Sequence, residues 1–278
     1  MKLTQAILPV AGLGTRFLPW TKVVPKELLP IGNQPMIALL VDECLSVGIH
    51  DICFVISRGK ESIPQYFYEM PELEAELKRR GKSHLLDELK RYDSVRFHVS
   101  YQEEMKGDGH ALLQARDWVK SDMVAVLFGD DLIVGKKNGL QQLKDGMKQL
   151  DFKKDTAMLC LQEVEKHLLS KYGVVDVDHA WSKEYPDSHI RKVKGLVEKP
   201  KPEEAPSNLG IVGKYLIPKI IFERLHEIEE GSHGGEVRLI DALIANRKHL
   251  DMYGYVFEGL RIDTGTPEGY KEAVAVLG

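Results

Sequence analysis

The stretch from Gln5 to Pro35, QAILPVAGLGTRFLPWTKVVPKELLPIGNQP, constrains this chain more than any other. Its first apolar run, Ala6 to Val10, has the length and composition of a buried strand. The run breaks at Gly12 and Gly14, where the chain can turn sharply and bring bare N–H groups against an anion. Arg16 and Lys26 follow, and Pro19, Pro25 and Pro30 stiffen the path between and after them. A strand, a glycine turn and two cations on a proline-braced loop suit a polyphosphate. Taken alone, the Gly-x-Gly is equally well a tight turn. The dinucleotide fingerprint does not fit: it needs a third glycine and a helix opening straight from the turn, and Pro19 interrupts any early helix. The Gly-Lys-Ser/Thr spacing of a phosphate loop is missing as well.

With 278 residues and 43% hydrophobic content, the chain can bury a full core as a single α/β domain. Its 38 Lys+Arg against 42 Asp+Glu leave a net charge of −4. That argues against a general nucleic-acid or membrane-surface binder, whose footprint is basic. Arg16 and Lys26 must then act through placement, not bulk charge. The N-terminal MKLTQAILPVAG is too short in apolar residues for a signal peptide, and no stretch approaches the ~20 needed to span a bilayer. Cys44, Cys53 and Cys160 are odd in number, widely spaced and set in apolar sequence. They read as reduced core residues of a cytoplasmic protein.

The pattern predicts a helix over Met36–Val47 ending at Gly48, and a second strand over Asp51–Ile56; such a strand–helix–strand unit implies a parallel sheet. Pro64–Tyr92 is a charged helical block, read either as a solvated excursion outside the sheet or as a subunit contact. Val95–Tyr101, Met123–Phe128, Thr156–Glu163, Gly173–Val177, Ile211–Leu216 and Tyr253–Phe257 are expected strands. Met123–Phe128 is the most continuously apolar, hence central and buried on both faces. Helices are expected from about His110, over Pro218–Glu230 and Glu236–Asn246, and at the C-terminus. Asp178–Pro206 is expected to be looped, and so is RIDTGTPEGY after the last strand. The fold class is α/β, an open mixed but mainly parallel sheet flanked by helices.

Several constellations could carry chemistry. Gly129-Asp130-Asp131 lies at the C-terminal end of the apolar strand, where open α/β sheets place ligands. Paired aspartates there are either turn chemistry or oxygen donors for a hard cation such as Mg2+. Asp263 is a second acidic point. His110 in GDGHA reads as a helix-start residue packing on the turn, with acid–base work the alternative. Gln102 by itself reads as a surface strand end. EKPKPEE, from Glu198, would by itself be an ordinary charged loop.

The longer segment GLGTRFLPWTKVVPKELLPIGNQPMI resembles the signature of the sugar-1-phosphate nucleotidyltransferases. Its PKELLPI form is most similar to the bacterial uridylyltransferases of that family, as is the Pro64–Tyr92 insertion. The resemblance extends from about Leu3 to Leu277. It implies a Rossmann-like nucleotide-diphospho-sugar transferase fold and uridylyl transfer from UTP to glucose 1-phosphate, giving UDP-glucose and pyrophosphate. It implies Asp130 and Asp263 as Mg2+ ligands, with Asp131 a neighbour pointing elsewhere. Ala11, Gly12, Gly14, Thr15 and Arg16 are then expected on the nucleotide, with Lys26 at its α-phosphate. Gln102, Gly107 and Gly109 are expected near the uracil, Gly173 and Glu198 on the glucose, and Lys199 on phosphate. The family pattern reads Q-G-x-x-x-G-x-G-H-A, and Glu103 departs from it. In GGEVRLIDAL, Arg238 and Ile240 stand where glutamine and threonine are usual, so Glu236 and Asp241 carry over less firmly. The resemblance also implies a homo-oligomer, dimer or tetramer. A thymidylyltransferase, another sugar nucleotidyltransferase, or a non-catalytic nucleotide-sugar binder remain the alternatives.

Overall fold

The computed structural model describes residues 3–150, 155–231 and 235–278. The first glycine of GGEVRLIDAL, Gly234, lies outside the described residues. The strands are β1 (Gln5–Pro9), β2 (Pro30–Ile31), β3 (Gln34–Pro35), β4 (Asp51–Ile56), β5 (Arg96–Tyr101), β6 (Met123–Leu127) and β7 (Asp131–Val134). They continue with β8 (Thr156–Glu163), β9 (Gly173–Val177), β10 (Ile190–Glu198), β11 (Leu209–Pro218), β12 (Asp251–Val256) and β13 (Leu260–Asp263). Nine of them form one sheet in the order β5-β4-β1-β6-β11-β8-β12-β10-β9.

The β5-β4-β1-β6 half is parallel, as the strand–helix–strand reading requires. The other half is not mainly parallel. β11 runs antiparallel to both β6 and β8, and β10 antiparallel to β12 and β9. The physical reason is the connections: β9, β10 and β11 follow one another without the full crossover that parallel pairing demands.

Side chains alternate between the two faces, and each face buries its own core. On β4, Ile52, Phe54 and Ile56 point to one cluster and Cys53 and Val55 to the other. The first cluster is covered by helices Met36–Ser46 and Gly139–Gln149, the second by Asp108–Leu113, Ile220–Gly231 and Leu239–Ala245. Every residue of β6 is buried, as its continuous apolar run predicts. Cys44, Cys53 and Cys160 are buried free thiols. Burial pushes the Cys53 thiol up to about 12.

Two expectations need correction, and a third, the helical Pro64–Tyr92 block, is met. Asp178–Pro206 is not looped throughout: His179–Glu184 is helical and Ile190–Glu198 is a nine-residue strand. Its apolar residues do not alternate with its cations: Ile190 joins the first cluster and Val193 and Leu196 the second, with a register shift between Val193 and Gly195. RIDTGTPEGY opens as strand, since β13 pairs antiparallel with β7 in a two-stranded ribbon outside the main sheet. Pro64–Tyr92 is a string of short helices, the longest Pro71–Arg79, which ends ahead of Gly81 at φ +69°. Its Glu76 is bound by Arg79 and Arg80 in contact with water, where such pairs contribute little to stability. Among the described residues, no helix is long and apolar enough to cross a membrane.

Candidate active site

β1, β5 and β6 end on the same edge of the sheet, so the segments after them converge there. After β1 the chain reaches Gly14 at φ +64° and enters a short turn, Thr15–Phe17. A Cβ on Gly14 would lie 3.2 Å from Thr21 Cγ2 and 3.4 Å from Lys26 Cβ, so the position needs glycine for both space and backbone. Around Gly12 nothing stands within 4 Å of such a Cβ, which leaves its backbone face open to a ligand. Thr21 Oγ1 donates to Gly14 O at 2.9 Å and folds the loop back on itself.

Lys26 is held from behind. The next residue, Glu27, is buried and accepts from Lys60 Nζ at 2.9 and 3.1 Å, while the same ammonium donates to Val10 O at 2.7 Å. The end of β1 and the Lys26–Leu28 turn are therefore tied to one buried cation. Lys26 Nζ itself points forward and meets Asp130 Oδ2 at 3.0 Å. Burial alone would pull the Lys26 ammonium down, but Asp130, Glu27 and Asp263 more than offset it and hold it above its usual value. Lys26 is thus cationic throughout the neutral range.

Asp130 and Asp263, far apart in sequence, are brought together by the β7–β13 ribbon, in which Asp263 stands opposite Asp131. A Cβ on Gly265 would lie 2.7 Å from Asp130 Oδ2 and 3.0 Å from Asp263 Oδ1. Both carboxylates therefore face one glycine. Thr264 N and Oγ1 donate to Asp130 O, and Gly265 N donates to Asp263 Oδ1 at 3.0 Å. Two carboxylates with room for waters and phosphate oxygens form a donor set suited to a hard divalent cation. Among the described residues no group of three or more His, Cys, Asp or Glu gathers as a metal cage. Arg16 reaches the same loop, donating to Gly265 O at 3.3 Å. Asp131 does point elsewhere, accepting from Arg261 Nε at 2.6 Å and from Gly213 N at 2.8 Å.

Two cavities flank this junction. The smaller, about 370 Å³, runs from Ala11 and Gly12 past Lys26 and Asp130 to Gln102 and Gly107. The larger, about 780 Å³, holds Arg16, Gly173, Glu198, Lys199, Arg238 and Asp263. Asp108 lines both. In the smaller one, Gly107 sits at φ +100° with Val237 O where a Cβ would be, 2.5 Å away. Gly109 N donates to Val237 O at 2.9 Å and Leu239 N to Asp108 Oδ1 at 2.9 Å, so the GDGHA turn is laced to the 236–239 segment. Gly107→Ala is therefore expected to displace that segment and lower thermal stability by about 1–3 kcal/mol. It should also raise the KM for the nucleotide more than that for the other substrate, read from melting and steady-state kinetics. Glu103, the departure after Gln102, turns out to solvent and pairs with Arg58 at 2.6 Å, away from the cavity.

In the larger cavity, Gly173 and Glu198 face each other in the β9–β10 ladder. Lys199, at φ +47°, turns its ammonium onto Glu198 Oε1 at 3.2 Å. Lys199 lines the larger cavity and Lys26 the smaller, so the two lysines approach the junction from opposite sides. Arg238 is engaged by Asp241 at 2.8 and 3.1 Å, and Ile240 packs against Gly173. Sequence reasoning did not single out Arg261 or Tyr172, which line this cavity and bond at 2.9 Å. Nor did it weigh Asp108, whose carboxyl is raised by burial against the pull of the Leu239 and Gly109 N–H groups.

A nucleotidyl transferase family model matches residues 5–277. The UTP–glucose-1-phosphate uridylyltransferase of Bacillus subtilis (strain 168) is 38% identical over 271 residues, covering 97% of this chain and 89% of that protein. The enzyme of the same description from Pseudomonas aeruginosa is 39% identical over 272 residues, 98% of this chain and 94% of that one. A solved structure of UTP-bound UGPase from Acinetobacter baumannii superposes with a TM-score of 0.88 at 33% identity, covering 100% of this chain and 94% of its own. A UDP-glucose pyrophosphorylase complexed with UDP-glucose gives a TM-score of 0.82 at 33% identity, covering 99% and 98%.

Proposed function

The chain belongs to the nucleotidyl transferase family as a UTP–glucose-1-phosphate uridylyltransferase, and from that premise we propose how its residues divide the work. The reaction joins UTP and glucose 1-phosphate to give UDP-glucose and pyrophosphate. A phosphate oxygen of the sugar forms a bond to the α-phosphorus of UTP, and the bond from that phosphorus to the pyrophosphate oxygen breaks. The attacking oxygen is already anionic, so no side-chain nucleophile and no covalent enzyme intermediate are needed.

The difficulty is electrostatic, because several negative charges must meet before any bond forms. UTP occupies the smaller cavity, its base toward Gln102, Gly107 and Gly109 and its phosphates running along Ala11, Gly12, Gly14 and Thr15 to Arg16, which reaches the junction from the larger cavity. Lys26 takes the α-phosphate. Glucose 1-phosphate occupies the larger cavity, with Gly173 and Glu198 on the hydroxyls and Lys199 on the phosphate. Asp130 and Asp263 would hold a divalent cation such as Mg2+, which when bound would neutralise charge on phosphate oxygens. The observation that carries this reading is the junction itself. Lys26 lies 3.0 Å from Asp130, and Asp130 and Asp263 meet at Gly265 where the two cavities adjoin.

The test is a pyrophosphate-release matrix of UTP, dTTP, ATP and CTP against several sugar 1-phosphates, with and without Mg2+. UTP with glucose 1-phosphate is expected to lead by at least about 10-fold, consistent with discrimination by hydrogen-bonded groups. Equal or faster turnover with dTTP, or dependence on a different sugar, would move the specificity. UDP-glucose binding with no turnover in either direction would make the protein a binder. Light scattering of the same preparation reads the expected homo-oligomer.

A further inference from the structure

Gln102 is buried in the wall of the smaller cavity and its amide is oriented from one side only. Nε2 donates to Gly107 O at 3.0 Å and approaches His110 Nδ1 at 3.1 Å. Among the described residues no group donates to Oε1, and that atom is not sealed from the cavity. Two acceptors on one side thus force the NH2 end inward and leave the carbonyl end for a ligand.

This arrangement requires His110 Nδ1 to be an acceptor, so the ring proton must sit on Nε2. The surroundings supply the partner: Nε2 faces Glu229 Oε1 at 3.4 Å, from helix Ile220–Gly231. Gln114 Nε2, at the C-cap of the helix that carries His110, lies 3.3 Å from the same Nε2 but donates at the shorter distance of 3.0 Å to His110 O, which leaves Nε2 to face Glu229. Behind Glu229 stand His226 and, against it, Glu230; Glu104 and Lys106, paired to each other, line the same outer hollow, and Glu236 lines the inner cavity. His110 is itself buried, bridging the outer hollow and the base side of the site.

We propose that His110 is a positioning residue which, by accepting from Gln102, fixes the amide with its carbonyl toward the base and so selects uracil over cytosine. This rests on the reading that Gln102 faces the base. The N3–H of uracil donates to an amide carbonyl, whereas N3 of cytosine is an acceptor and would repel it. Turned end for end, the amide would present NH2 and suit cytosine. Thymine shares the uracil N3–H, so the device separates UTP and dTTP from CTP and not from each other.

The experiment measures kcat and KM for UTP and for CTP in wild type, Gln102→Ala, His110→Leu and His110→Asn. His110→Leu should narrow the preference for UTP over CTP about 10-fold or more, through KM and with little change in kcat. His110→Asn, which offers an amide oxygen near the Nδ1 position, should restore that preference. Unchanged preference in Gln102→Ala would overturn the placement of the base. A changed preference in Gln102→Ala with wild-type behaviour in both folded His110 variants would overturn the inference alone. Circular dichroism and melting establish that each variant is folded before it is scored.

Discussion

Asp130→Asn is expected to retain the fold and lose on the order of 10²-fold in kcat, about 3 kcal/mol of transition-state stabilisation. Asp130 Oδ2 is bound by Lys26 at 3.0 Å and faces the same glycine as Asp263, so its charge is shared between a cation and a candidate metal position. Replacing one oxygen by NH2 keeps the volume, leaves the Thr264 bonds to the backbone oxygen of Asp130 intact, and removes the charge. The loss should therefore fall on kcat and on the concentration of Mg2+ needed for half activity, with melting temperature nearly unchanged. Asp263→Asn should act similarly, and the double variant by less than the sum, because both carboxylates serve one ion. Wild-type kcat for Asp130→Asn in saturating Mg2+ would remove Asp130 from the mechanism. A large fall in melting temperature would instead make it a structural residue.

The elements legible in the sequence were those whose apolar content is continuous. Asp51–Ile56, Thr156–Glu163 and Gly173–Val177 are found at the residues expected, because each carries an apolar run that is buried in the sheet. Where cations interrupt the apolar run the signal thins. IRKVKGLVE places three cations among its apolar residues and reads as a loop, although it is strand β10. Helix Gly139–Gln149 hides behind two glycines and a run of amides. Its start is nonetheless written locally: Asn138 accepts from Gln141 N while Gln141 Oε1 accepts from Asn138 N, a reciprocal cap. The candidate site shows the same division. Lys26, Asp130 and Asp263 could be named from motifs, but that they meet depends on the β7–β13 ribbon, whose four-residue strands carry no strong pattern. Arg261 lies in that ribbon and pairs with Asp131 and Tyr172, contacts that only the fold creates.

Behind that ribbon lies a second charge pair, and breaking it is expected to cost about 3–5 kcal/mol of stability. Lys214, on β11, is fully buried, and its Nζ donates to Glu43 Oε2 at 2.8 Å. Glu43 Oε1 accepts from Leu140 N at 2.7 Å, so one carboxylate joins helix Met36–Ser46, the start of helix Gly139–Gln149 and the sheet. Glu43→Gln leaves the amide oxygen for Leu140 but strips the fully buried Lys214 ammonium of its counter-charge. Melting temperature should drop by roughly 10 °C, taking ~2–4 °C per kcal/mol for a domain of this size. Adding Lys214→Met to that variant should recover much of the loss, since the methionine keeps the buried stem and removes the stranded charge. The consequence should reach the site as well. Gly213, one residue before Lys214, donates its N–H to Asp131 Oδ2 at 2.8 Å, and Asp131 adjoins Asp130. A loosened β11 should therefore lower kcat in Glu43→Gln, and the methionine double variant should bring activity and stability back together. A Glu43→Gln protein that melts within about 1 kcal/mol of wild type would show that this pair does not hold the strand.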